Sequence, residues 1–259
     1  MRDRYYFHHI PKTAGTSVSA WLEQSGIFSV SPSHLWSDLL RHKREDLCQY
    51  DLFRGHFYRS LHRYLNFDLK PFVFLRNPVD RAISHYEHIR RFPDHYFHHR
   101  VRQQGSFVAF LRDPVTQPLV RNFQVRALCN ALDPEAINNE LGARRTHPFD
   151  LEREIEVRDL GLDDESALTL AKDYLMRCCV VGIVERMDDS IAMLAQELGI
   201  PRLGAIASLN VNTQNPMRAY NLTQEELSEL LPLLSHDWFL YEFALTVFER
   251  ARRDMLGER

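Results

Sequence analysis

Residues 5–17 constrain the fold of this chain more than any other stretch. An apolar run, Tyr5-Tyr6-Phe7, leads through His8-His9-Ile10 into Pro11-Lys12-Thr13-Ala14-Gly15-Thr16-Ser17, and Val18, Trp21 and Leu22 follow at helical spacing. A strand, a turn of small and hydroxyl residues with one lysine, and then a helix suits the binding of phosphate. The amides of a helix's first turn have no internal partners, and the helix dipole favours an anion there. Thr16 and Ser17 add hydroxyl donors, Gly15 lets the backbone approach closely, and Lys12 supplies a compact positive charge. The lysine precedes the glycine, so the pattern is not the nucleotide loop G-x-x-x-x-G-K-[ST], whose hydroxyl holds magnesium. Only four of the thirty-two basic residues are lysines, and one of them sits in this turn. Lysine offers a point charge and a transferable proton where arginine offers a fork. The bland alternative is a well-capped helix start with an incidental lysine.

A second segment has the same form. Phe72-Val73-Phe74-Leu75 is apolar at every position, the pattern of a strand buried on both faces. Pro78 suits a first helical turn, and Val79, Ile83 and Tyr86 continue at helical spacing. Arg76 therefore sits at the carboxyl end of a strand, the edge where open α/β sheets bind ligands. Ser84 lies about two turns into the following helix, so the pair can address one anionic group. Taken alone, Arg76 reads as a surface ion-pair residue and Ser84 as a neutral helix position. Together with the first turn they suggest a nucleotide carrying phosphates at two separate positions.

These residues resemble a known family. Pro11-Lys12-Thr13-Ala14-Gly15-Thr16-Ser17 resembles the 5′-phosphosulfate loop of sulfotransferases that use 3′-phosphoadenosine 5′-phosphosulfate (PAPS). Leu75-Arg76-Asn77-Pro78-Val79-Asp80-Arg81 with Ser84 resembles their 3′-phosphate site. The nearest group is the carbohydrate enzymes that include the heparan-type uronosyl 2-O-sulfotransferases. Arg54-Gly55-His56-Phe57 looks like the Gly-His segment carrying that group's catalytic histidine. Asn122-Phe123-Gln124-Val125-Arg126-Ala127-Leu128 is similar to an N-x-Q-x-R-x-L element, and Val181–Met187 and Asp237–Phe243 fit the later half. The segment between Pro93 and Asp113 matches no family element. The resemblance implies a single sulfotransferase-like domain over residues 1–259, PAPS as co-substrate, the bisphosphate PAP as product and no metal. It implies cofactor binding by Lys12, Thr13, Ala14, Gly15, Thr16, Ser17, Arg76 and Ser84, with Lys12 and His56 as catalytic residues. The acceptor would be a hydroxyl, first of all on a carbohydrate or glycolipid. Asn122, Gln124 and Arg126 either bridge the cofactor to the acceptor pocket or tie a helix to the sheet, and the structural reading is preferred. An ATP-dependent phosphotransferase is the enzymatic rival; a nucleotide- or glycan-binding protein without catalysis is the other.

The rest of the chain narrows the setting. Strands alternating with helices imply an α/β fold, a P-loop-like parallel sheet flanked by helices. The expected strands are 5–10, 50–53, 72–75 and 180–184, and the expected helices are 16–24, 36–42, 79–91, 107–111, 119–132, 167–177, 187–198, 225–231 and 238–252. A net charge of −3 argues against a broad nucleic-acid surface. Arg54, Arg59, His62, Arg63, Arg81, His85, His88, Arg90 and Arg91 suggest a basic rim, or else solvated helix faces. Cys48, Cys129, Cys178 and Cys179 form no C-x-x-C pair and read as reduced, packed thiols. His85, His88, His95, His98 and His99 lack carboxylates or cysteines at zinc-ligand spacing. No apolar run approaches a membrane span and the first motif begins at His8, so a cytoplasmic protein is expected. Acceptor identity and oligomeric state are not legible.

Overall fold

The computed structural model describes residues 3–201, 217 and 219–257. The polar stretch 210–214, which reads as a loop able to close over a nucleotide, lies outside them. Among the described residues, four parallel strands form a sheet in the order β2-β1-β3-β4. They are β1 (Tyr5–His8), β2 (Leu52–Gly55), β3 (Lys70–Leu75) and β4 (Val180–Ile183). Tyr5 pairs with Leu52 on one side and Lys70 on the other, and Phe72 pairs with Val180. All four residues of β1 and of β4 are buried, as a parallel sheet covered on both faces requires. Phe7 stacks on Phe72 at 5.2 Å, and a Cβ on Gly182 would meet the Phe74 ring at 2.7 Å, so only glycine fits opposite that ring.

The helices are α1 (Gly15–Gln24), α2 (Trp36–Leu39), α3 (Ser60–Tyr64), α4 (Pro78–Arg91), α5 (His98–Gln104), α6 (Phe107–Arg112) and α7 (Phe123–Cys129). They continue with α8 (Pro134–Leu141), α9 (Asp150–Val157), α10 (Asp164–Leu175), α11 (Met187–Leu198), α12 (Gln224–Leu233) and α13 (Ser235–Leu256). The largest buried cluster surrounds the sheet; a second joins Ile83, Tyr86, Phe107, Phe110 and Leu230 across α4, α6 and α12. α11 ends as its sequence implies: Gly199 adopts φ 65°, its N–H donates to the Gln196 carbonyl, and the Ile200 N–H donates to Ala195.

Three expectations shift. β2 runs two residues later than expected, because Asp51 turns its carboxylate back to the Ser29 N–H and the pairing with β1 starts at Leu52. The expected long helix over 119–132 is broken: a 3₁₀ turn ends at Leu119, Asn122 takes φ 43°, and α7 runs only over Phe123–Cys129. α3, α5, α8 and α9 are additions, none longer than eight residues.

The strand order sets where a ligand can sit. The chain leaves β1 for β2 on one side and, after crossing back to β3, continues to β4 on the other. The carboxyl ends of β1 and β3 therefore flank a topological switch point, where the outgoing connections part and leave a crevice. The Lys12 turn follows β1, His56 follows β2, and Arg76 follows β3.

Candidate active site

A cavity of about 640 Å³ opens at this crevice, and its lining includes Lys12, Ala14, Gly15, Thr16, Ser17, His56, Arg76 and Ser84. Thr13 is the exception. It is fully buried, and both its N–H and its hydroxyl donate to the Ile10 carbonyl, at 3.3 and 2.9 Å. Thr13 therefore closes the turn from within. Lys12 and Ala14 on either side of it hold positive φ of 73° and 63°. Non-glycine residues in that region cost on the order of 1–3 kcal/mol each, strain that persists where surrounding structure fixes it.

Gly15 is required for a reason the sequence does not show. A Cβ there would lie 1.7 Å from Nε2 of His9, so the imidazole occupies the space a side chain would need. That ring in turn lies 4.3 Å from the ring of His56. His9, which reads as a packing residue, is the spacer between the phosphate-type turn and the histidine after β2. Gly55 is equally constrained: at φ 150° its Cβ would clash with the His34 carbonyl at 2.3 Å. The same carbonyl accepts the His56 N–H.

His56 has a defined tautomer. Its Nδ1 lies 2.9 Å from the His9 carbonyl oxygen, which only accepts, so Nδ1 carries the proton and the neutral ring's lone pair is on Nε2. Burial holds its pKa down, to about 4, with His34 and Lys12 adding to the effect and the His9 bond opposing it. Lys12 is lowered to about 8, mostly by burial and then by Arg91, Arg76 and Arg81. Both shifts have the sign that burial gives to a group whose charged form is a cation.

Arg76 is fixed through its backbone. Its N–H donates to Oε1 of Gln124 at 3.0 Å, its carbonyl accepts from Nε2 of Gln124 at 2.8 Å, and its guanidinium donates to the Lys12 carbonyl at 3.3 Å. Arg126 donates to the carbonyls of Pro118, Glu156 and Arg158. Asn122, Gln124 and Arg126 thus tie α7 to the sheet edge and its neighbours, as read from sequence. Asn77 caps α4 by accepting from the N–H groups of Val79 and Asp80, and its own N–H donates to Glu185. Glu185 also accepts from the Tyr241 hydroxyl at 2.8 Å, so both of its oxygens are engaged.

The basic rim contracts to a few members. Of the nine basic residues named, His85, His88 and Arg91 line the cavity. Arg54 pairs with Glu23, Arg90 with Glu87, and Arg81 is fully buried, donating to the Leu119 carbonyl over the Phe123 ring. Among the described residues no group of histidine, cysteine or acidic side chains is arranged to hold a metal ion. All four cysteines are free, and no described helix is long and apolar enough to cross a membrane.

Sequence reasoning missed a further part of the cavity lining. Trp36, Tyr96, Phe149, Glu152, Ile155 and Glu156 make it up. Glu152, Ile155 and Glu156 fall at i, i+3 and i+4 on α9, a spacing that puts them on one face. That spacing was the available signal, but α9 itself was not foreseen. No protein-family model matches the chain, and no curated protein matches it in sequence.

Proposed function

We propose that this chain transfers a sulfuryl group from PAPS to an acceptor hydroxyl by in-line displacement, releasing PAP. The observation that carries the reading is the convergence of Lys12, His56, Arg76 and Ser84 on one cavity at the sheet's switch point. Their starting points lie at the ends of three strands and on the helix behind one of them, so their meeting is a property of the fold.

In this reading His56 Nε2 accepts the proton of the acceptor hydroxyl while the hydroxyl oxygen bonds to sulfur. The bond from sulfur to the bridging oxygen breaks, and its electron pair stays on the departing bisphosphate. Lys12 and the amino-terminal amides of α1 stabilise that charge as it develops, the kind of preorganised contact that contributes most in a site closed to water. Arg76 and Ser84 hold the 3′-phosphate and so separate PAPS from nucleotides that lack it. A histidine held near 4 by burial is a weak base. The negative charge of the donor raises it towards the range where a base works best. The same charge keeps Lys12 protonated.

Calorimetry and turnover test the reading. PAP binds the wild-type chain, and Arg76→Ala weakens it by about tenfold or more. His56→Ala leaves PAP affinity within about threefold yet lowers turnover of labelled PAPS by about 10²–10⁴-fold. Magnesium-dependent binding of ATP in place of PAP would convert the reading to phosphoryl transfer. PAP binding with no product across a glycan and alcohol panel would leave only a binding protein.

A further inference from the structure

Among the described residues, four other than glycine hold a positive φ. Lys12 and Ala14 shape the phosphate-type turn, Asn122 opens α7, and Tyr58 stands at 52°. That region is costly for a bulky side chain, and glycine or asparagine meets it with less strain. The bend itself has a structural purpose. It lets Phe57 pack on Trp36 at 5.1 Å in the core and sends the Arg59 N–H to the Asn130 carbonyl at 2.9 Å, just ahead of α3. None of that requires a tyrosine. A strained backbone kept at a large residue points to a task for its side chain.

Tyr58 is 3% exposed and lines the cavity, so the little surface it keeps is on the cavity side. Its ring lies edge-on to His8 at 6.0 Å, while its hydroxyl makes no hydrogen bond among the described residues. A buried tyrosine hydroxyl ordinarily finds a partner. This one is not sealed from solvent as the unpaired Trp36 indole is, so it opens to the cavity. Glu156, half-buried on α9, lines the same cavity. Its Oε2 accepts the Tyr96 hydroxyl, whereas Oε1 makes no hydrogen bond among the described residues and is also unsealed. Burial holds the Glu156 pKa at about 8 against the pull of Arg81. Near neutral pH the carboxyl is therefore protonated, on Oε1, since Oε2 is the acceptor. Burial also pushes the Tyr58 hydroxyl well above its ordinary value, and Glu156 is first among the charges that add to the rise. Two uncharged groups, each able to donate and to accept, thus stand near one another with free capacity towards the cavity.

We propose, resting on the sulfuryl-transfer reading, that Tyr58 and Glu156 hold a second hydroxyl of the acceptor while His56 takes the proton of the first. The pair makes the chain specific for a polyhydroxylated acceptor over a monohydric alcohol. A hydroxyl needs one donor and one acceptor, and a tyrosine beside a protonated carboxyl supplies both. Placement agrees with this. The strand order puts the ends of β2 and β3 on opposite sides of the Lys12 turn, so Tyr58 shares the β2 side with His56, across from Arg76.

The test compares cis- and trans-cyclohexane-1,2-diol with cyclohexanol, probes that share a ring and differ by one hydroxyl. Affinity for the intact chain is read by calorimetry with PAP absent and then present, and kcat/KM is read with labelled PAPS. At least one diol is expected to be favoured over cyclohexanol by about tenfold or more in both measurements. Tyr58→Phe, which keeps the ring, should narrow that ratio by about tenfold. Glu156→Ala should narrow it similarly, and Glu156→Gln should restore it, because the amide again offers a donor and an acceptor. A variant that is only less well folded lowers both probes alike, and an unchanged ratio in Tyr58→Phe would overturn the assignment. So would equal handling of diols and cyclohexanol by the wild-type chain, or no diol binding at all. A loss of PAP affinity of about tenfold in Tyr58→Phe would place its hydroxyl on the donor's ribose and overturn the acceptor role. A wild-type chain that prefers the diol yet takes no PAP would lose the sulfuryl-transfer reading and keep the hydroxyl subsite, so the two failures are distinguishable.

Discussion

Lys12 is the residue whose charge the site can least spare, and its environment makes that charge conditional. Burial and three neighbouring arginines bring its pKa to about 8 when no anion is present. An anion binds the protonated form, so affinity should be constant below about pH 8 and decline above it. The limiting slope is about tenfold per pH unit for one proton. PAP titrations from pH 6.5 to 9.5 measure this; a flat profile would mean that Lys12 does not meet the ligand. Gly15 gives a second prediction. Gly15→Ala must push the His9 ring away, because the new methyl would overlap it at 1.7 Å. Overpacking of this kind costs about 1–3 kcal/mol, a fall of roughly 2–10 °C in Tm for a chain this size. The displaced ring also moves against His56, so turnover should fall further than PAP affinity. A variant with unchanged Tm and turnover would show that the spacer role is wrong.

Between elements, the clasp of α7 and α13 determines how well Arg76 is held. Asn122 accepts the His236 N–H at 3.0 Å through its side chain, and Asp237 accepts the N–H groups of Gln124 and Val125 at 3.2 and 2.9 Å. Gln124, so placed, makes both hydrogen bonds to the backbone of Arg76. Gln124→Ala should therefore weaken PAP binding by about threefold to tenfold, less than Arg76→Ala, since it loosens the guanidinium's base and leaves the charge. Equal losses in the two variants would argue that Gln124 meets the ligand itself. The strand–turn–helix units at β1–α1 and β3–α4 were legible because 5–7 and 72–75 are unbroken apolar runs and the turns after them carry Lys12 and Arg76. Both features are local. The break at Asn122 was not legible, because its partners His236 and Asp237 are more than a hundred residues away. The α9 wall was missed for a related reason. Its face shows two glutamates flanking one isoleucine, which reads as a solvated helix until a cavity is set against it.

Across the whole molecule, an unusual number of histidines are held neutral by burial. His56 and His95 titrate near 4 and His8 and His88 near 3, while His9 and His85 lie well below the ordinary value of 6.5. On unfolding, each returns to its ordinary value and takes up a proton at any pH between its two pKa values. The unfolded chain thus binds more protons in that window, and stability rises with pH there. The contribution of these groups is complete above about pH 6.5 and is lost as the pH falls towards 3. Two buried carboxyls act in the opposite sense. Glu156 is raised from 4.5 to about 8 and Asp237 from 3.8 to about 6, so each withdraws stability as the pH rises through its interval. Between pH 4.5 and 6 the histidines outnumber the carboxyls and decide the sign; above 6.5 only Glu156 remains, until Lys12 reverses it past 8. Each unit of separation corresponds to ~1.4 kcal/mol. Urea midpoints should therefore peak near pH 6.5–7, fall steeply below pH 6 and decline gently to pH 8. PAP should turn the trend above pH 8 into a loss, because it stabilises only a chain whose Lys12 is charged. A plateau from pH 5 to 7 would mean that these imidazoles are already protonated in the folded state, and the neutral tautomer assigned to His56 would go with them.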